Sequence, residues 1–259
     1  MRKLAVVVLA SALGVVPQTV VAQCPAGAVC HFGTDLGGVV TRATNVESAA
    51  ARAAFLGMLT GVGTETFEGL GVGTANPTLV FPGAGSAMLT GGGQVASQGP
   101  GTNGFGRYPS SGTRFYEATS AAGGGTTFTI DFSDPVAAFG FYGIDIGDQL
   151  SQLSLRFTLS GGGTQTWRLP YGASSGFGSL RDGSLLYAGF VNTAGFTSVA
   201  FLGTDIDDAF AFDDMTIGSA QQVIPPGTTV PEPGSAALIA SGLLALGGVA
   251  SRRRRAPAA

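Results

Sequence analysis

From residue 64 onward the chain reads as short runs of alternating apolar and polar side chains, separated by Gly, Ser, Asn and Pro. Alternation with period two is the pattern of a half-buried strand, because successive side chains point to opposite faces. Residues 126–132 place Phe128, Ile130 and Phe132 on one face and Thr127, Thr129 and Asp131 on the other. Residues 153–159 turn Leu153, Leu155, Phe157 and Leu159 inward and Ser154, Arg156 and Thr158 outward. Residues 136–146 are apolar almost throughout, which predicts a central strand covered on both faces. Residues 64–68, 185–190, 198–202 and 210–217 supply further strands. With about ten strands at regular spacing, the expected class is all-β, an antiparallel β-sandwich or jelly roll.

One body segment breaks the period. Residues 41–60 are rich in alanine and bring Phe55, Leu56 and Leu59 to one side, a helical arrangement. Thr44 or Asn45 is placed to cap this short N-terminal helix, Glu47 lies near its positive end, and Gly61 and Gly63 stop it. The expectation is a helix that plugs an open end or edge of the sheet. Glycine triplets at 91–93, 123–125 and 161–163 fall between strands and read as hairpin loops, since no helix follows them to complete a phosphate cradle. The longest irregular stretch, 98–111, carries Phe105, Arg107 and Tyr108.

Both ends of the chain differ from the body. Arg2 and Lys3 precede an apolar core, and Val20-Val21-Ala22 offers a small-residue cleavage site, so residues 1–22 read as a signal peptide. At the other end, Val230-Pro231-Glu232-Pro233-Gly234 is a proline-fixed turn. Residues 235–250 carry no charge, and Arg252, Arg253, Arg254 and Arg255 follow. An apolar run closed by a basic block has the order of a single membrane helix with a cytoplasmic stop. Its sixteen residues span roughly 24 Å, short of a hydrocarbon core of ~30 Å, which predicts a weak or temporary anchor. The expected organisation is a signal peptide at 1–22, an N-terminal segment with the helix at 23–63, a sandwich at 64–218, a linker at 219–229 and a tail at 230–255.

The order of the tail's three parts, headed by Pro231-Glu232-Pro233, resembles the PEP-CTERM sorting signal of Gram-negative bacteria. That resemblance implies recognition by an exosortase, a membrane-embedded cysteine transpeptidase-like enzyme. It also implies removal of the tail near the triplet and delivery to the cell envelope or exterior, in systems that commonly accompany exopolysaccharide production. In the body, TETFEG (64–69), GFYGIDIGD (140–148) and AFDDMTIG (211–218) resemble a β-sandwich ectodomain of PEP-CTERM proteins. The last also resembles the closing strand of carbohydrate-binding jelly rolls. In those modules an acidic residue on the final strand helps to hold a structural calcium, and a glutamate on the first strand contributes. Glu68 is the matching position here.

Without its terminal signals the chain keeps about 200 residues, enough for one core. Seven arginines against fifteen carboxylates leave this body with a net charge of −8, and the only lysine, Lys3, is in the signal peptide. Such a surface excludes nucleic acid, whose affinity comes from phosphate neutralisation, and suits divalent cations or neutral glycans. Cys24 and Cys30 are the only cysteines; an exported route lets them pair and tie down the mature N-terminus. With a single histidine they are too few for a closed zinc site.

The carboxylates cluster at Asp145 and Asp148, at Asp205, Asp207 and Asp208, and at Asp213 and Asp214. Calcium takes roughly six to eight oxygens, which a strand end and an aspartate-rich turn can supply. Asp145, Asp213 and Asp214, with Glu68 from the resemblance, are therefore candidate calcium ligands; the alternative is solvated turn aspartates. Strict alternation sends Asp214 the same way as Phe210 and Phe212, whereas a bulge turns both aspartates outward. Trp167 and Tyr171 are candidates for stacking on a sugar ring, the alternative being that Trp167 is core; Phe105 and Tyr108 are further candidates. Glu65, Glu68 and Glu117 are the side chains available for glycosidase chemistry, but nothing places two across a cleft. His31 has no G-x-S-x-G partner and receives no role. The first reading is a non-enzymatic secreted protein, sorted by an exosortase to the cell envelope or extracellular matrix, structural or exopolysaccharide-associated. The second is a calcium-dependent carbohydrate-binding module, and the third a polysaccharide hydrolase.

Overall fold

The computed structural model describes residues 24–118, 126–147, 152–171, 180–203 and 209–225. The chain divides into two units, Met1–Val223 and Ile224–Ala259, and of the second only Ile224 and Pro225 are described. The expected signal peptide and the apolar tail with its expected helix lie outside the described residues. The elements are β1 (Val29–Asp35), α1 (Glu47–Leu56), β2 (Thr64–Glu65), β3 (Thr78–Phe81), β4 (Gly85–Gly91), β5 (Gln94–Ser97), β6 (Arg114–Ala118), β7 (Thr126–Ile144), β8 (Ser154–Leu159), β9 (Thr164–Arg168), β10 (Leu185–Leu202) and β11 (Phe210–Gly218). All their pairings are antiparallel.

Two long strands make one sheet into two layers. In the first layer the order is β9-β8-β10-β7-β4-β3, using residues 196–202 of β10 and 126–132 of β7. In the second it is β1-β10-β7-β11, using residues 185–191 and 136–144; β2 and β6 share the far side of β11, and β5 lies beyond β6. The strands expected at 126–132 and 136–146 are thus largely two halves of β7, and those at 185–190 and 198–202 two halves of β10. Their junctions read as turns because Pro135 cannot donate to a ladder and Gly195 has φ 76°. The register shifts at the same places.

Between the layers lies an aromatic core. Phe157 of β8 stacks on Phe190 of β10 with ring centroids 3.9 Å apart, and Phe201 meets Phe141 at 5.2 Å and Phe212 at 5.6 Å across the same gap. Full burial of one such ring is worth about 1.5–3 kcal/mol. The inward residues expected in 126–132 and 153–159 are those buried here, Leu159 only in part. Cys24 and Cys30 are joined as a disulfide.

The helix does not plug an end or edge of the sheet; α1 lies on the outer face of the second layer. Gly140 and Gly189 pair across β7 and β10. A Cβ on either would stand 2.8 or 2.7 Å from Phe55, so the absent side chains open the seat for that ring. Neither Thr44 nor Asn45 caps the helix backbone. Asp35, at the end of β1, accepts the N–H groups of Val46 (3.1 Å), Glu47 (3.2 Å) and Ser48 (3.0 Å). A carboxylate there satisfies three of the unpaired donors of the first turn.

Two other boundaries move. β1 pairs with β10 from Val29, so the sheet begins well before residue 64. The strand expected at 64–68 is cut to Thr64–Glu65, because Phe67 turns to φ 58° and donates its N–H to Glu65 Oε1 at 2.6 Å. After β11 the chain makes one 3₁₀ turn, Ala220–Gln222. Gln222 Nε2 donates to the carbonyls of Gly61 (2.7 Å) and Pro82 (3.0 Å), its own carbonyl accepts from Thr60 N–H (2.9 Å), and Val223 bridges to Leu59.

Candidate functional site

The long irregular stretch after β5 has no strand ladder to satisfy its backbone, so it must find partners elsewhere. Arginine supplies some of them. Arg42 donates to the carbonyls of Gly99 (2.6 Å) and Gly101 (2.7 Å), with its guanidinium 4.8 Å from the ring centre of Tyr108. Tyr108 Oη donates to Gly183 O at 3.0 Å and accepts from Ala43 N–H at 2.9 Å. Thr102 Oγ1 donates to Val39 O at 2.5 Å. Arg107 pairs with Glu117 at 2.8 Å and with Asp145 at 3.6 Å.

The four carboxylates expected to ligate calcium serve the same loop. Asp145 is buried and accepts Gly183 N–H at 2.8 Å. A Cβ on Gly106 would run into the Asp145 carboxylate, so glycine is required there. Asp213 Oδ2 accepts from Ser110 N–H (2.7 Å), Ser110 Oγ (2.8 Å) and Ser111 N–H (3.2 Å). Asp214 Oδ1 accepts from Ser111 Oγ at 2.8 Å. Glu68 Oε1 accepts from the N–H groups of Thr113 and Arg114, both at 2.6 Å.

A bulge in β11 makes this possible. The register slips by one residue between Asp213 and Thr216, and Asp214 takes φ 48°. Phe212 and Met215 then face the core between the layers, while the aspartates meet the loop. An ionised carboxylate in a dry interior is costly. Burial, and then the charge of Asp214, push Asp213 up to about 8 despite the hydrogen bonds from Ser110 and Ser111. The hydrogen bond from Thr113 N–H is the main reason that Glu68 lies below the usual carboxylate range.

These residues do not fit a calcium cage. Their oxygens accept hydrogen bonds from the loop and its neighbours. Among the described residues no three of His, Cys, Asp and Glu come together in a way that could hold a metal. Asp148, Asp205, Asp207 and Asp208 lie outside the described residues. The sugar-stacking expectation for Trp167 and Tyr171 is corrected by their burial. Trp167 is 1% exposed and packs against Phe190 and the edge of Phe32. Tyr171 is 4% exposed and its Oη accepts Leu153 N–H at 2.8 Å. Tyr108 is buried too, whereas Phe105 is 69% exposed, with the Arg107 guanidinium 5.5 Å from its ring centre. The partners that the sequence reading missed are Ser110, Ser111 and Thr113. Their closely spaced hydroxyls in a stretch without apolar alternation were the available signal.

Residues 229–255 match the PEP-CTERM protein-sorting motif. The chain carries a PEP-CTERM sorting tail. Such a motif marks an exported protein that is held at the membrane before processing. Among curated proteins none matches the chain. Several solved structures resemble it. The CBM22-1 xylan-binding domain from Paenibacillus barcinonensis Xyn10C is 12% identical, with 63% of this chain and 96% of that one covered at a TM-score of 0.35. The C-terminal family 22 carbohydrate-binding module of Clostridium thermocellum Xyn10B is 13% identical over 64% and 97% at 0.36. The K2 cleaved adhesin domain of Lys-gingipain is 17% identical over 60% and 97% at 0.35. The likeness concerns the all-β fold and nothing finer.

Proposed function

We propose that this is a non-enzymatic exported protein that an exosortase sorts to the cell envelope or extracellular matrix, where it associates with exopolysaccharide. The observation that carries the reading is the sorting motif at residues 229–255. The three glutamates considered for glycosidase chemistry support it, because each has a structural task. Glu65 accepts Phe67 N–H, Glu68 holds the start of β6, and Glu117 is paired with Arg107. His31 Nε2 lies 3.1 Å from Met58 Sδ.

The test is the intact mass of the protein from its native host. A C-terminus near Pro231 supports sorting with removal of the tail. A C-terminus at Ala259 overturns it.

A calcium-dependent carbohydrate-binding module is the second reading, although its calcium half draws no support from the four carboxylates bonded to the loop. Phe105 favours its glycan half, as an exposed aromatic ring on a loop tied at both ends. Replacing Phe105 by Ala should abolish retention on a glycan column if the ring stacks on sugar, and unchanged retention removes this reading.

A further inference from the structure

Among the described residues, the outward rows of β8 and β9 in the first layer are mostly exposed. The only α-helix among the described residues, α1, covers the second layer. The register of β8 and β9 sets Ser154 opposite Arg168, Arg156 opposite Thr166, and Thr158 opposite Thr164. All six alternate with the buried Leu155, Phe157 and Trp167, so all six point outward. Arg156 and Arg168 are therefore diagonal neighbours on one exposed face, a placement that sets residues about 7–8 Å apart.

Two cations at that spacing repel each other, and neither makes a hydrogen bond or ion pair among the described residues. Arginine is scarce in this acidic body, and three of the other five are put to use. Arg42, Arg107 and Arg114 all bond to loop carbonyls or carboxylates. Asp131 is the other charged side chain on the outward rows of this face, and it sits two strands from β8, across β10. Around the arginines stand hydroxyls already in fixed positions, with Ser198 Oγ donating to Thr158 Oγ1 at 2.9 Å.

We propose that this face binds the carboxylates of an acidic, uronate-type polysaccharide. Arg156 and Arg168 are the two anchoring cations, and Ser154, Thr158, Thr164 and Thr166 bond to the sugar hydroxyls. Guanidinium groups match carboxylates with paired parallel hydrogen bonds, and their weak hydration lowers the cost of contact. The net negative charge of the body does not prevent this, because charges more than about 8 Å away are largely screened at physiological salt. The inference rests on the polysaccharide-association reading and replaces the neutral glycan suggested by composition with a charged one.

The experiment is affinity electrophoresis of the full chain in mild detergent, through gels containing alginate, neutral dextran or polyglutamate. Three proteins are compared: the parent, R156Q/R168Q and R181Q. Arg181 is exposed and lies outside β8 and β9. The parent should be retained by alginate but not by dextran, and retention should fall as salt rises from about 50 to about 500 mM. R156Q/R168Q should weaken it about tenfold, the scale of two exposed ion pairs, and R181Q should not. The double variant should melt no lower than the parent, since only like-charge repulsion is lost. If the double variant binds alginate like the parent, the proposed face is wrong while polymer association stands. Equal retention by dextran, or by polyglutamate, overturns the uronate assignment. If the parent is retained by none of the three, this inference and the association reading both fail, and sorting is still decided by the intact mass.

Discussion

Asp35 and Ser48 are joined twice: the carboxylate accepts both the backbone N–H and the hydroxyl of Ser48. One residue at the end of β1 thus fixes where α1 begins and where it lies on the sheet. Asp35→Ala should destabilise the protein by about 1–2 kcal/mol, the range for lost N-caps. Burial raises the carboxyl pKa, but the hydrogen bonds from Ser48, Glu47 and Val46 outweigh it and hold it below its ordinary 3.8. The stabilisation is therefore complete above that value and is lost as pH falls through the lower folded one. Asp35→Asn should flatten the acid limb of a pH–stability curve, and an unchanged limb would refute the cap.

Asp213 carries the opposite sign. Its pKa in the fold is about 8, against 3.8 for the ordinary group. Between those values the unfolded chain has released its proton and the folded chain has not, so stability falls as pH rises. Asp213→Asn, which cannot ionise, should remove that slope. The gap in melting midpoint between variant and parent should widen from pH 4 to pH 8; parallel profiles would sink the prediction.

Gly189→Ala should cost about 1–3 kcal/mol, the usual penalty of overpacking. The new methyl needs the space that Phe55 fills. Combining it with Phe55→Leu should recover part of the loss, measured by urea denaturation as a double-mutant cycle. Additive effects would place the strain elsewhere.

The loop carboxylates are bonded to backbone and hydroxyl donors, so a chelator should leave the melting midpoint of the protein unchanged. Glu68→Ala should speed protease cleavage within residues 98–113, because it frees the N–H groups of Thr113 and Arg114. A midpoint that rises with added calcium would restore the metal.

Much of the sandwich was legible because the rule behind it is local. Phe128, Ile130 and Phe132 alternate with polar neighbours, and the register keeps that parity. The helix was legible as a helix, but its seat was not, since Gly140 and Gly189 lie far apart in sequence and meet only through the pairing of β7 with β10. The acids at 68, 145, 213 and 214 were legible as a set. Their task was not, because the donors they satisfy belong to Ser110, Ser111, Thr113 and Gly183, distant residues with no periodic pattern. Trp167 and Tyr171 stood out by residue type, yet their burial depends on partners from several strands.

Gln222 has a mechanical consequence. A protein drawn or held by its C-terminal tail bears tension along the backbone at Ile224. That pull reaches the bridge from Val223 to Leu59 first, and then the Gln222 side chain gripping Gly61 and Pro82. Only after both yield is β11 loaded, between β7 on one side and β2 and β6 on the other. The short turn at 220–222 thus stands between the tail and β11, the strand at the centre of its layer's far side.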